Sequence, residues 1–373
     1  MKKTLVFAAL IAVLAVSCKE KSGLQYYQTD RTYDIVSVKE PAQDAEVRNV
    51  IIMIGDGMGL EQVSCGWVVN KGKLNLDNFT ATGLSRTWCT DKLITDSGAG
   101  GTAIAAGAKT AYCHVGTAPD NSDLPSVLVK AQKLGKKTGT VVTCHFADAT
   151  PCDFCCHNEH RYNQEDLIAD YIESGVDYLA GGGLDWFTTK RTDGRDITEE
   201  MSAAGYNVAL DEAALMSAEL PVIGILSPDN LPVAKERGDL FRRMVKRGLD
   251  QLSAEPKGFV MMIEGSCIDD WLHGNDIGKA MEELLDFDRT IGDVLEWAAN
   301  DGHTLVVVTA DHNTGSLTLQ DGNLEEGVIG VHFASEGHNG IAVPIYAWGP
   351  GSKAFTGICE NEDWGKLIAT FVK

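Results

Sequence analysis

Basic residues are this chain's clearest shortage: 373 residues carry 32 Lys and Arg against 53 Asp and Glu, a formal net charge of −21. So acidic a chain excludes a nucleic-acid-binding surface, because a phosphate backbone is held by clustered Lys and Arg. The same shortage constrains any enzyme of anionic substrates, whose local positive field then has to come from bound cations. Long apolar runs are also missing. Past the N-terminus nothing approaches the roughly 18 residues that a membrane-spanning helix needs. No internal repeat, coiled coil or low-complexity tract is present, which excludes repeat arrays and fibrous architectures.

What is there begins with a targeting pattern. Lys2 and Lys3 precede the apolar run Leu5 to Val16, then Ser17 and Cys18. This is a basic region followed by an apolar one too short to span a bilayer comfortably. Ala15-Val16-Ser17-Cys18 fits a bacterial lipoprotein signal, although a Leu three residues before the Cys is commoner. The reading makes residues 1–17 a signal peptide and anchors the chain to a membrane only through lipid on Cys18. The polar stretch after it makes 18–44 a tether, with a catalytic domain over 45–373. The expected location is the cell envelope, periplasmic or outer-membrane; ordinary secretion or an uncleaved anchor is the alternative. Nine cysteines remain after Cys18, and an envelope location permits disulfides whose pairing the sequence does not give. Cys152, Cys155 and Cys156 beside His157 lack a second, distant CxxC half and read as buried small side chains of a helix.

Short β-branched runs alternate with longer helical segments, the pattern of an α/β fold around a mainly parallel sheet. Expected strands are 50–54, 140–143, 178–179, 221–225, 259–263, 304–309 and 342–348; expected helices include 126–134, 240–252 and 279–300. Acids and histidines follow several strands: Asp56 after the first, Asp148 and Thr150 after the second, Glu264 with Asp269 and His273, then Asp311-His312. Parallel sheets gather ligands at the carboxyl ends of their strands. These far-apart residues can therefore converge on one edge as a metal site.

Three familiar motifs fail. Gly55-Asp56-Gly57-Met58-Gly59 is not GxGxxG, and its carboxylate would repel a pyrophosphate. Gly107-Ala108-Lys109-Thr110 ends like a P-loop but has Ala where the last Gly belongs. Thr95-Asp96-Ser97-Gly98-Ala99 lacks the first Gly of GxSxG. Ser97 instead precedes a run of small residues to Gly107 that can start a closely packed helix. There it is either a plain N-cap or a residue that meets an anionic phosphoryl group among unpaired N–H groups.

Taken together, IGDGMG around Asp56, TDSGAGGTA around Ser97, Asp148-Ala149-Thr150-Pro151, Glu264-Gly265-Ser266-x-Ile268-Asp269-x-x-x-His273, Thr309-Ala310-Asp311-His312 and His338 resemble the alkaline phosphatases, in order, from about Asn49 to Pro350. The resemblance implies a three-layer α/β sandwich and hydrolysis of phosphate monoesters to alcohol and inorganic phosphate through a phosphoserine on Ser97. It implies two Zn²⁺ and one Mg²⁺. Asp269, His273 and His338 resemble the ligands of one zinc. Asp56, Asp311 and His312 resemble those of the second, which also takes the Ser97 oxygen. Asp56, Thr150 and Glu264 resemble the magnesium set, with Asp148 acting through water. Mixed His and carboxylate donors suit zinc and all-oxygen donors suit magnesium. Arg161 follows Thr150 at the interval of the arginine that grips two phosphoryl oxygens, a bidentate task Lys cannot perform well. His114, His157, His160, His303 and His332 read as ordinary histidines, and His145 stays undecided.

Two features depart from the family pattern. Asp270 stands where Lys, His or Trp is usual, and a carboxylate there disfavours bound phosphate unless it is protonated, turned away or paired. Only 25 residues separate His312 from His338, where many relatives insert a crown. A reduced crown implies an open site and leaves a homodimer open. Competing readings are a same-fold diesterase, phosphonatase or sulfatase, from which Ser97 and Arg161 point away, a metal-dependent mutase, which a lipoprotein signal fits poorly, and a phosphate- or metal-binding lipoprotein, which leaves a Ser at the nucleophile position unexplained.

Overall fold

The computed structural model describes residues 23–373. The signal pattern and Cys18 lie outside the described residues. The strands, in chain order, are β1 Gln25–Tyr27, β2 Asn49–Gly55, β3 Ala81–Arg86, β4 Lys137–His145, β5 Tyr178–Gly182, β6 Asn207–Ala209, β7 Val222–Ile225, β8 Phe259–Gly265, β9 Thr304–Thr309, β10 Asn313–Thr314, β11 Leu317–Asn323, β12 Val328–Phe333, β13 His338–Asn339, β14 Val343–Trp348 and β15 Gly357–Glu360. Ten of them form one sheet in the order β15-β3-β14-β9-β2-β8-β4-β5-β7-β6. Only β14 runs antiparallel to its neighbours in that sheet.

The central strands are apolar throughout because helices cover both faces of the sheet. Along β2, Ile51 and Met53 join one core with the helices Leu240–Leu252 and Ile277–Asp301. Val50, Ile52 and Ile54 join a second core with the helices Val127–Lys133, Ala149–Cys155 and Asn361–Phe371. The result is the three-layer α/β sandwich expected from the alternation of elements. Each of the seven strands expected from the sequence lies in this sheet. The edge strands β6 and β15, and β3 next to β15, were not expected; their mixed, partly exposed residues carry no continuous apolar run. Among the described residues no helix is long and apolar enough to cross a membrane.

Register places the site. Ile54 of β2 lies beside Glu264 of β8 and Thr309 of β9, and Val142 of β4 lies on the other side of Glu264. The loops leaving β9, β2, β8 and β4 therefore open side by side at one sheet edge, where the sequence puts its acids.

The reduced crown is a β11–β12 hairpin whose free edge is closed by β1, paired antiparallel with Gln25 opposite Val331. This corrects the tether expected over 18–44, at least from residue 23 onward. The Tyr33 hydroxyl donates to Asp288 Oδ2 at 2.6 Å, and Val36 N donates to Asn75 Oδ1 at 2.9 Å. Gln43 Nε2 donates to Ser352 Oγ at 2.8 Å, and Gly349 N donates to Glu40 Oε1 at 3.0 Å. The segment looks like a linker because it is polar, yet its polar groups satisfy buried partners that composition does not reveal. Asp288 sits in the core of the molecule at 1% exposure and also accepts from Asn75 N and Leu76 N. Tyr33→Phe therefore costs about 1.5–3 kcal/mol, the range for a hydrogen bond to a charged group. Urea unfolding checks this, and a loss within the noise would mean that the segment is undocked.

Candidate active site

Four loops and one helix start build the site. The helix Ser97–Ala106 begins with Asp96, not Ser97, as its N-cap: Asp96 Oδ1 accepts from Ala99 N at 3.3 Å. The plain-cap reading of Ser97 therefore fails, and its hydroxyl is available for chemistry. Small residues let this helix press into the site. A Cβ on Gly100 would stand 2.8 Å from the Asp311 carbonyl, so only glycine permits the approach. The approach sets Ser97 Oγ 3.2 Å from His312 Nε2. In the loop after β2, Gly57 has φ +65°, and a Cβ there would meet Asp269 Oδ1 at 2.4 Å. That glycine lets the Asp56 loop and the Asp269 helix share one small volume.

The predicted ligands converge in two groupings, Asp269 with His273 and His338, and Asp56 with Asp269 and His312. In the first, Asp269 Oδ2 is 3.0 Å from His273 Nε2 and 3.8 Å from His338 Nε2. In the second, His312 Nε2 is 3.4 Å from Asp56 Oδ1; Asp269 stands there in place of the expected Asp311, whose Oδ2 lies beside the grouping, 3.1 Å from the same nitrogen. The His312 and His338 rings stack with centroids 3.5 Å apart and tie the groupings together. The other ring nitrogens are held by backbone or hydroxyl groups: His338 Nδ1 by the Thr95 carbonyl at 2.9 Å, His273 Nδ1 by the Glu336 carbonyl and His312 Nδ1 by Thr314 Oγ1 at 3.2 Å. Every Nε2 is thereby turned inward, the arrangement expected of metal-binding histidines.

Burial pushes the Asp56 carboxyl well up, with Asp311 and Asp269 adding repulsion. It does the same to Glu264, with Asp148 next, and it raises Asp311 to about 6. Burial opposes ionisation of Asp269 too, but hydrogen bonds with His273 and His338 hold its carboxyl well below the usual range. Asp56 Oδ1, Asp269 Oδ1, Asp311 Oδ2 and Thr150 Oγ1 are buried without a hydrogen-bond partner. Orphaned buried oxygens are costly, and so many from one ligand set fit cations held by oxygen and imidazole.

Asp148 stands apart from this core. Its Oδ1 accepts from Ala149 N at 2.7 Å and from the Arg161 guanidinium at 2.9 Å. Arg161 also donates to Asp96 Oδ2 at 3.2 Å. The guanidinium is mostly buried between two carboxylates. Burial opposes its charge, but Asp148 and then Asp96 outweigh that and raise its pKa. Asp270 lines the same cavity, accepts from Asn230 Nδ2 at 2.8 Å, and is pushed up to about 7 by burial, then by Asp148 and Asp269. The cavity holds about 570 Å³ and takes in Asp56, Ser97, Arg161 and His338.

His145 faces the same cavity, with its ring 5.2 Å from that of Trp186. His114, His157 and His303 are engaged with Thr117, the Leu124 carbonyl and the Glu46 carbonyl. Cys152, Cys155 and Cys156 are buried thiols at the helix Ala149–Cys155, as expected. Sequence reasoning missed Asp96 as the partner of Arg161 and Thr314 as the support of His312. Asp96 sits inside the Ser97 motif and was legible there; Thr314 carries no such signal.

A serine at a helix start, a buried arginine and two His–carboxylate groupings define a metal-dependent hydrolase of phosphoryl groups. Residues 47–329 match the alkaline phosphatase family. Alkaline phosphatase 4 of Bacillus subtilis is 30% identical over 100% of this chain and 97% of its own length. The Escherichia coli alkaline phosphatase is 26% identical over 88% of this chain and 86% of its own. The structure of alkaline phosphatase from the Antarctic bacterium TAB5 superposes with a TM-score of 0.83 at 33% identity, covering 88% of this chain and 99% of that one. The chain belongs to the alkaline phosphatase family and is a phosphomonoesterase.

Proposed function

We propose that Ser97 is the nucleophile and Arg161 the phosphoryl clamp of a broad-specificity phosphomonoesterase. The observation that carries this reading is Ser97 Oγ lying 3.2 Å from His312 Nε2, within a cluster whose buried oxygens lack partners. Asp269, His273 and His338 are the donors for one Zn²⁺, and Asp56, Asp311 and His312 for a second. Asp56, Thr150 and Glu264 are the donors for Mg²⁺, with Asp148 contributing through water. A structure of a TAB5 alkaline phosphatase variant is described with Mg bound in its M3 site, which favours a magnesium component in this family. When bound, the zinc ions supply Lewis acidity that lowers the serine pKa and stabilises the leaving oxygen.

The chain's own residues then do the following. Ser97 Oγ attacks phosphorus in line, forming an O–P bond as the bond to the alcohol oxygen breaks. The alcohol leaves with a proton, and water next cleaves the phosphoserine, returning hydrogen to Ser97 and releasing phosphate. Two displacements give net retention at phosphorus; inversion would exclude the covalent intermediate. Arg161 spends N–H groups on Asp96 and Asp148, which fix its plane, and offers the others to two nonbridging oxygens. A monoester has three nonbridging oxygens, two for Arg161 and a third for the bound cations, whereas a diester has only two. Above about pH 7, where it is ionised, Asp270 places negative charge in the cavity that holds the phosphate, which favours product release. The lipoprotein reading stands beside this: Cys18 anchors the chain in the cell envelope.

The test compares kcat/KM for matched aryl monoester, diester and sulfate substrates on zinc- and magnesium-loaded protein. Monoesters should be strongly preferred, Ser97→Ala should abolish turnover, and Arg161→Ala should lower monoesterase activity roughly a hundredfold with far less effect on diesters. Equal losses would contradict the clamp. For the anchor, wild type should enter the detergent phase on partitioning and Cys18→Ser should stay aqueous; an aqueous wild type would remove it.

A further inference from the structure

The catalytic cavity has a second cation besides Arg161. Among the described residues, Lys92 and Arg161 are the Lys and Arg side chains that line it. Arg161 is paired with Asp96 and Asp148. Among the described residues no carboxylate lies within salt-bridge distance of Lys92; its ammonium lies over the Tyr112 ring, 3.3 Å from the centroid. A ring face holds an ammonium in place without cancelling its charge.

The backbone around Lys92 is fixed. Cys89 N donates to the Lys92 carbonyl at 3.1 Å, and Thr90 N donates to the Thr110 carbonyl at 2.9 Å, joining the turn to the segment that carries Tyr112. The neighbouring Asp91 carboxylate accepts from Tyr112 N at 2.8 Å and contacts the Cys89 thiol, so it is committed elsewhere. In a chain of net charge −21, an exposed ammonium held at the cavity wall with no ion pair among the described residues is an anion acceptor. The cavity's 570 Å³ exceeds what one phosphoryl group fills, which leaves room for the alcohol portion of the substrate.

We propose that Lys92, held by Tyr112, binds a second anionic group on the alcohol portion, so that the enzyme favours phosphate monoesters bearing a further carboxylate or phosphate over neutral ones. The proposal rests on the phosphomonoesterase reading above and deepens it. Since Lys92 covers one face of Tyr112, stacking of an aromatic leaving group on that face would have to displace it.

The test uses the metal-loaded enzyme and two alkyl phosphates of equal length, one ending in a carboxylate and one in the corresponding amide. In wild type at low salt kcat/KM should favour the carboxylate roughly two- to fivefold, carried by KM, as for an exposed ion pair. The preference should shrink with added salt. Lys92→Ala should remove it, Lys92→Glu should invert it, and Lys92→Arg should keep it. Equal kcat/KM for the two esters in wild type, or a ratio unchanged in Lys92→Ala, would overturn the subsite alone. If neither ester were hydrolysed, the phosphomonoesterase reading would fall with it.

Discussion

The site is organised by the repulsion among Asp56, Asp269, Asp311 and Glu264, each nearly sealed from solvent. Among the described residues no set of side chains neutralises them all. Arg161 is committed to Asp96 and Asp148, and the three histidines hold Asp269 far better than its neighbours. A buried carboxylate without a counter-charge is among the costliest features a fold can carry. The parallel strands β9, β2, β8 and β4 nevertheless deliver these acids to adjacent loops, and glycines at 57 and 100 let the loops close in. The arrangement makes physical sense as a cradle for cations.

This resolves the conflict in the composition. An acidic protein attracts substrate dianions poorly from a distance, yet at the sheet edge cations and a buried guanidinium reverse the local field. Asp96 has two duties there, capping the helix that presents Ser97 and orienting Arg161 with its other oxygen. One side chain thus couples the helix that carries Ser97 to the Arg161 guanidinium.

The central sheet was legible because strands such as β2 and β9 are buried on both faces and so read as unbroken β-branched runs. Most of the proposed ligands were legible because they stand at or soon after the end of such a strand; His338, in β13 outside the main sheet, was legible only through the family resemblance. Strands β6 and β15 were hidden because edge positions tolerate polar residues, and β3, next to β15, is partly exposed as well. The docked segment from residue 23 was hidden for the opposite reason: its polarity serves hydrogen bonds to Asp288, Asn75 and Ser352 rather than to water. Thr314 and the Thr95 and Glu336 carbonyls were invisible because orienting a histidine needs only an acceptor at the right place, which almost any residue supplies.

The most direct test is thermal unfolding of one preparation stripped by chelator and then reloaded with zinc and magnesium, with phosphomonoesterase activity followed alongside. If the strand-end acids are a cation cradle, stripping lowers Tm and abolishes turnover, and reloading restores both, since ligands that bind only the folded state stabilise it. An unchanged Tm with full activity after chelation would contradict the account.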